Sequence, residues 1–384
     1  MTDDQLIELS KKLIAIESTV DNLDGLREAY DFMVKMLRSS GKDITIEEFE
    51  SGGKPSLLAY RGKTRPANFR VILNGHLDVV PGQPSQYKAV VKDGKLYGRG
   101  SHDEKAACVV LADVFCEFID KVPYALGLQL VTDEESSGYH GTRLQIEDGV
   151  RADFVICAEC GRKTDVHEIA NEAKGIVVAE IGFRGVATHS AYPWRGDSAA
   201  LKATQFVHAL HDRFPWPAEE TSHTTITVTS ISSTGGSLTR VPDYALVKVD
   251  ARYIPGDPNF RSRKHFAALI EKIDANAELS IYDFSSPLYT SKDNPLLLAL
   301  KASAEKVEDA PFRFVRRHAT SDGRWYGDVG NQACEFGIAG EDQHGDNEHI
   351  TLKAFSDFRK TLQDFLTKTI ETEKDNTNTH AFSE

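Results

Sequence analysis

Three things are scarce in this chain of 384 residues. Cysteine is the first. There are five, an odd number and too few to staple a chain of this length with disulfides. Cys157 and Cys160 have CxxC spacing, but no second CxxC accompanies them and Cys157 closes an apolar run. That predicts a core residue rather than a thiolate metal site. Cys108 and Cys116, eight apart on an expected helix, should also face the core. Positive charge is the second shortage. Lys and Arg number 45 against 58 Asp and Glu, a formal net charge of −13, which argues against a nucleic-acid or anionic-membrane partner. Long apolar runs are the third. No stretch approaches the length of a membrane span, and Met1 to Leu13 is too polar for a secretory signal. The expected address is therefore cytoplasmic. Internal repeats and low-complexity linkers are missing as well.

What is present is the composition of a globular protein, 40% hydrophobic and 27% charged, at a length that suggests two domains. Leu6, Leu9, Leu13 and Ile14 have helical spacing, and Leu23 to Leu37 predicts a second helix. Phe69 to Leu73, Leu126 to Val131 and Asp153 to Cys157 are short, continuous and apolar, as strands covered on both faces are. A helix from Glu104 to Ile119 lies among them. This alternation predicts an α/β catalytic domain whose mainly parallel sheet is flanked by helices. From about Lys174 the texture changes. Gly175 to Phe183, Thr224 to Ile231 and Tyr244 to Tyr253 alternate apolar with polar residues, as in an antiparallel sheet with one wet face. Helical segments near Ser198 to Phe214 and Asn259 to Ile273 are interleaved. After Ser285 the first texture returns, with a helix near Pro295 to Val307, a strand near Ala333 to Ile338 and a last helix from Leu352 to about Thr369. The expected division is 1–174 with 285–384 for the first domain and 175–284 for an inserted α+β domain. The tail from Thr372 to Glu384 is polar and expected to be disordered.

Ligands in open α/β sheets gather at the carboxyl ends of the strands. His76 follows the strand ending at Leu73, Glu134 and Glu135 follow Val131, Glu159 follows Cys157, and His344 follows the strand expected to end near Ile338. Asp103 stands in Tyr97-Gly98-Arg99-Gly100-Ser101-His102-Asp103, just before a helix. Together these form a ligand set for two divalent cations, of the imidazole and carboxylate type that zinc accepts, with one carboxylate left over. The two oxygens of Asp103 could bridge a pair of ions. Of the neighbours Glu134 and Glu135, whose side chains diverge on an extended segment, one can bind metal while the other acts as general base. Asp78, two residues from His76, is placed to take the second imidazole N–H and orient that ligand.

Asn74-Gly75-His76-Leu77-Asp78-Val79-Val80-Pro81, Tyr97-Gly98-Arg99-Gly100 with Asp103, Thr132-Asp133-Glu134-Glu135, and His344 with Glu348 together resemble the two-zinc amidohydrolases and exopeptidases. These include acetylornithine deacetylase, succinyl-diaminopimelate desuccinylase, aminoacylase and glutamate carboxypeptidase. The resemblance runs from about residue 5 to 370. It implies a zinc-exopeptidase-like fold with a lid domain that dimerises, and it implies the ligand assignment. One zinc takes His76 and Glu159, the other takes Glu135 and His344, Asp103 bridges them, and Glu134 is the general base. Cobalt may replace zinc. Gly185-Val186-Ala187-Thr188-His189-Ser190-Ala191-Tyr192-Pro193 resembles the lid segment whose histidine, here His189, meets the oxyanion, in the family across the dimer interface. Val249-Asp250-Ala251-Arg252 resembles the run whose arginine holds a substrate α-carboxylate. Glu104 stands where the family usually has methionine or aspartate, and Arg240 stands where it usually has an asparagine that touches substrate.

The resemblance also bears on substrate. A glutamate at position 159 is usual in deacylases and carboxypeptidase-like members, and Thr320-Ser321-Asp322-Gly323-Arg324 resembles a substrate-side loop of the desuccinylases, which makes Ser321 and Gly323 candidate contacts. The implied reaction removes an acyl group from an N-acyl-L-amino acid by attack of a water activated between the ions. The implied assembly is a homodimer acting on a small amide or short peptide. A dipeptidase or carboxypeptidase on the same scaffold is the rival reading. A non-catalytic relative would show a lost ligand or base, and none is lost.

Overall fold

The computed structural model describes residues 1–159, 162–234 and 237–381, with backbone alone for 372–381. Cys160 and residues 382–384 lie outside that set. The chain divides into two compact units. One comprises Met1–Asn171, Leu288–Val315 and Ser321–Glu384, and the other Glu172–Pro287 and Arg316–Thr320.

The first unit is built on a nine-stranded mixed sheet. Its centre is four parallel strands in the order Leu126–Val131, Phe69–His76, Ala152–Cys157 and Gln332–Glu335. These are the apolar runs, buried along almost their whole length. Outside Leu126–Val131 lies an antiparallel hairpin of Ile44–Ser51 and Lys54–Arg61. Its two-residue turn is Gly52-Gly53, both at positive φ, a backbone that a pair of glycines adopts without steric cost. The helix Lys105–Phe118 is mostly apolar and buried, only Cys116 and Glu117 being partly open. It packs on the strand Phe69–His76 and is flanked by the helices Asp3–Ile14 and Leu352–Ala381. The core includes Leu73, Phe115, Phe154, Phe336, Phe358 and Phe365, all 2% exposed or less. Burying a side chain of this size stabilises by roughly 1.5–3 kcal/mol. The last helix runs to Ala381, so the polar tail expected to be disordered is helical as far as it is described. No glycine or proline occurs between Leu352 and Ala381 to stop it.

A smaller antiparallel sheet sits in the same unit, in the order Gly340–Glu341, His349–Thr351, Lys95–Tyr97 and Val90–Lys92. His349 pairs with Tyr97, and Glu341 with His349. This sheet brings the turn at 342–348 beside the loop that leads from Tyr97 to Asp103.

The second unit is a four-stranded antiparallel sheet in the order Thr225–Ser233, Tyr244–Tyr253, Gly175–Arg184 and Glu278–Ser285. In Gly175–Arg184 buried and half-buried residues alternate up to Gly182, as expected of a strand with one covered face. Val177, Ala179, Ile181, Phe183, Val247 and Val249 pack on Phe206 and Leu210 of the helix Ala199–Arg213 and on Phe266 and Leu269 of Arg263–Ile273. A separate two-stranded ladder pairs Thr188–His189 with Arg240–Val241. No helix among the described residues is long and apolar enough to cross a membrane.

Candidate metal centre

The parallel strands deliver their side chains to one rim. His76 is the last residue of its strand. Glu134 and Glu135 open a short 3-10 turn, Glu134–Ser136, beyond Val131. Glu159 stands two residues beyond Cys157. His344 arrives by a different route from the one expected. Its strand stops at Glu335, and the residue comes instead from the turn of the smaller sheet, where its φ is +62°. Asp342 sets that turn, its carbonyl accepting from the Gly345 N–H at 2.8 Å and its carboxylate from the Asn347 N–H at 2.7 Å.

Among the described residues, two groups of ligand-type atoms result. His76, Asp103, Glu104 and Glu159 form one, and Asp103, Glu135 and His344 the other, the atoms of each lying within 4.8 Å of one another. Asp103 belongs to both. Its Oδ1 is 3.0 Å from His76 Nε2 and its Oδ2 3.0 Å from His344 Nε2, which is 3.1 Å from Glu135 Oε1. A tetrahedral zinc with bonds of roughly 2.0–2.1 Å separates its ligand atoms by about 3.3 Å. The donors thus stand close to the spacing that such an ion imposes, and imidazole with carboxylate is a donor set that zinc accepts. The residues fit a pair of divalent ions with a shared carboxylate.

Electrostatics agree with that fit. Burial raises the carboxyl groups of Glu134 and Glu159 well above the usual range, and neighbouring carboxylates add to the effect. Burial likewise pushes Glu104 up to about 8. Burial also works against the charge on Asp103, but hydrogen bonds from His344 and His76 outweigh it and hold that group well below its ordinary value. Hydrogen bonds to Asp103 and Glu135 lift His344 to about 10. At neutral pH the proton on His344 supplies part of the positive charge that the carboxylates call for. A cation must displace it. Metal uptake should therefore release protons and weaken as pH falls. Calorimetric titration with zinc in two buffers of different ionisation enthalpy measures this, and an enthalpy independent of buffer would contradict it.

Other side chains orient the ligands. The His76 imidazole Nδ1 lies 3.0 Å from the main-chain oxygen of Asp78 and 3.5 Å from its carboxylate. The Asp78 carboxylate also accepts from the N–H groups of Glu134 at 3.2 Å and Glu135 at 3.0 Å. It therefore anchors the backbone that carries both glutamates. Glu104 accepts the His76 N–H at 2.7 Å through Oε1. Gln343 donates to Asp103 Oδ2 at 2.8 Å. Lys105, fully buried, donates to the carbonyls of Leu13 and Ile16 at 3.2 and 2.6 Å, where the dipole of the first helix favours a cation. Apart from that of Asp78 toward His76, none of these roles is assigned by sequence spacing, although Glu104 and Lys105 adjoin Asp103 and could be suspected on that ground.

The remaining candidates are distributed as follows. Ser321 is buried, and its hydroxyl donates to Glu335 at 2.6 Å. Gly323 opens the helix Gly323–Asp328, where a Cβ would meet Leu288 at 2.4 Å. Both are packed residues of the first unit. Arg324 of the same helix donates to the Ser137 carbonyl at 2.6 Å. His189, Arg240 and Arg252 belong to the second unit. His189 and Arg240 are directly paired across the two-stranded ladder. His189 Nδ1 accepts from the Ala191 N–H at 3.1 Å, which puts the ring proton on Nε2 and leaves that N–H as a donor. Arg240 pairs with Asp243 at 2.8 Å. Arg252 sets Nε and Nη2 on the two carboxylate oxygens of Asp250 at 2.8 and 3.1 Å.

With this geometry in hand, comparisons with known proteins are informative. The sequence profile described as peptidase family M20/M25/M40 matches residues 72–368. A succinyl-diaminopimelate desuccinylase of Dechloromonas aromatica (strain RCB) is 25% identical over 383 residues, covering 95% of this chain and 99% of that one. Among solved structures, aminopeptidase PepT from Bacillus cereus ATCC 10987 superposes with a TM-score of 0.76 at 18% identity, over 95% of this chain and 98% of its own. A protein of Bacillus subtilis described as a dinuclear metal-binding peptidase of the M20 family gives 0.67 at 14% identity, over 96% and 99%.

Proposed function

This chain belongs to peptidase family M20/M25/M40, and from that premise we propose that it is a two-metal hydrolase that removes an acyl group from an N-acyl-L-amino acid. The carrying observation is the division of labour among its carboxylates. Asp103 is common to both ligand groups, while Glu134 belongs to neither and stands half-buried next to Glu135. Two zinc ions would be held by His76 and Glu159 on one side and by Glu135 and His344 on the other, with Asp103 between them. Cobalt could take their place. When bound, such ions lower the pKa of a water and polarise the amide carbonyl. Glu134 accepts a proton from the attacking water and returns it to the leaving nitrogen. Asp78 holds the backbone of Glu134, so the base cannot drift from the ligand beside it. The Nε2–H of His189 is a donor suited to the oxyanion, in the manner the family resemblance implies, with the second unit making a homodimer. Arg252 would hold the substrate carboxylate by exchanging Asp250 for it, since the fork suits either. Arg240, opposite His189, offers a second cation for an acidic acyl group.

The acyl-amino-acid reading is favoured by Glu159 and by the desuccinylase similarity along nearly the whole chain. An exopeptidase is the second reading, and the likeness to an aminopeptidase fold supports it. Hydrolysis of N-acetyl- and N-succinyl-L-amino acids should exceed that of dipeptides and tripeptides when both panels are assayed with added zinc or cobalt. Preference for free-amine peptides would turn the assignment to the exopeptidase, and hydrolysis of neither panel by metal-loaded protein would remove the catalytic reading.

A further inference from the structure

One buried ion pair ties the two halves of the metal centre together. Arg99 and Glu348, both about 2% exposed or less, form a salt bridge through Arg99 Nη1 and Glu348 Oε2. The other carboxylate oxygen, Oε1, accepts three main-chain N–H groups, from Gly100 at 2.9 Å, His102 at 2.9 Å and Asp103 at 3.0 Å. That oxygen shapes the loop which carries the shared ligand. Arg99 Nη2 reaches the other way and donates to the carbonyls of His344 at 3.0 Å and Gly345 at 3.2 Å. The side chain of His344 is 45% exposed and its residue has a positive φ, so little packing of its own fixes this ligand. A planar guanidinium can hold a carboxylate and two carbonyls at once, whereas a lysine ammonium lacks the fork.

We infer that Arg99, held by Glu348, is a positioning residue that sets His344 against Asp103 and thereby completes one of the two ion sites. The inference rests on the two-ion reading above and is independent of the substrate. It makes an asymmetric prediction. Asp103 remains bonded to Glu348 when Arg99 is changed, so the site of His76, Asp103 and Glu159 should survive. The site of Asp103, Glu135 and His344 should weaken.

The test is metal titration of the full chain, followed by calorimetry with zinc and by the visible absorption of cobalt, with thermal melting in chelator as the control for folding. The parent should take up two ions, and that result separates a failure of the two-ion reading from a failure of this one. In Arg99→Gln one ion should bind about 10–100-fold more weakly, the usual cost of losing a group that orients a ligand, while the other stays within about threefold. The weakened site should be the one that His344→Ala abolishes. Arg99→Lys keeps a buried charge for Glu348, so it protects the fold, yet it cannot span both carbonyls. It should show the same selective loss, and it decides the matter should Arg99→Gln not fold. A lower melting temperature with both ions bound as in the parent would overturn the inference, as would equal weakening of both ions.

Discussion

Glu134→Gln should leave metal uptake at two ions per chain and cut turnover by about 10²–10⁴-fold, the usual contribution of a positioned base. Glu134 is in neither ligand group, so its replacement removes no metal ligand. Glutamine has the same shape, and the main-chain N–H that Asp78 holds is unaffected. What is lost is the ability to take a proton. Burial already pushes this carboxyl upward, with Asp322 and Glu135 adding to it, which makes it a stronger base than an ordinary carboxylate. Stopped-time assays on the best N-acyl substrate, with metal analysis of the same preparation, measure both quantities. Turnover near that of the parent would transfer the base role elsewhere, and a loss of bound metal would make Glu134 a ligand.

How much of this could be read from the chain depends on where the information lies. The strand Leu126–Val131 is legible because a six-residue run interrupted only by Gln129 can be little else in an α/β context, and the strand Tyr244–Tyr253 because its alternation persists over ten residues. The hairpin of Ile44–Ser51 and Lys54–Arg61 is harder. Its outer strand carries three glutamates and lacks a clean alternation, and only the Gly52-Gly53 turn announces it. Among the candidate site residues, His76 is legible because it ends its own strand, and Glu135 and Glu159 because each follows its strand closely. His344 is legible as a residue type but not as a position, since it depends on a small sheet that pairs Tyr97 with His349 across 252 residues (349 minus 97). The partnership of Arg99 with Glu348 depends on the same pairing, and no local period or spacing encodes it. Ser321 is singled out by a motif resemblance alone, and its hydroxyl donates to Glu335, a partner that no local spacing encodes.

Asp103→Ala should have the broadest effect of any single change, because it removes a member of both ligand groups. Each ion should weaken by more than the roughly 10–100-fold that follows loss of an orienting partner, and hydrolysis should fall to the background of the assay. His344→Ala, by contrast, should cost one ion. The effect on the metal-free fold needs a separate argument. Removing one partner of a buried pair commonly costs about 3–5 kcal/mol, and Asp103 pairs with both His76 and His344. Yet the pocket without cations is crowded with acid, and like-charge repulsion raises Glu104 and Glu159 in part through Asp103 itself. Taking away one carboxylate relieves that repulsion, so the metal-free melting temperature should change little compared with its metal-induced rise. That rise follows RT ln(1 + [L]/Kd) for each bound ion, and in Asp103→Ala it should vanish at metal concentrations that stabilise the parent. Thermal melts with chelator and with added zinc, compared between parent and variant, read this out directly. Should the variant keep two ions and the full metal-induced rise, Asp103 would not be the shared ligand, and the arrangement of the centre around it would have to be abandoned.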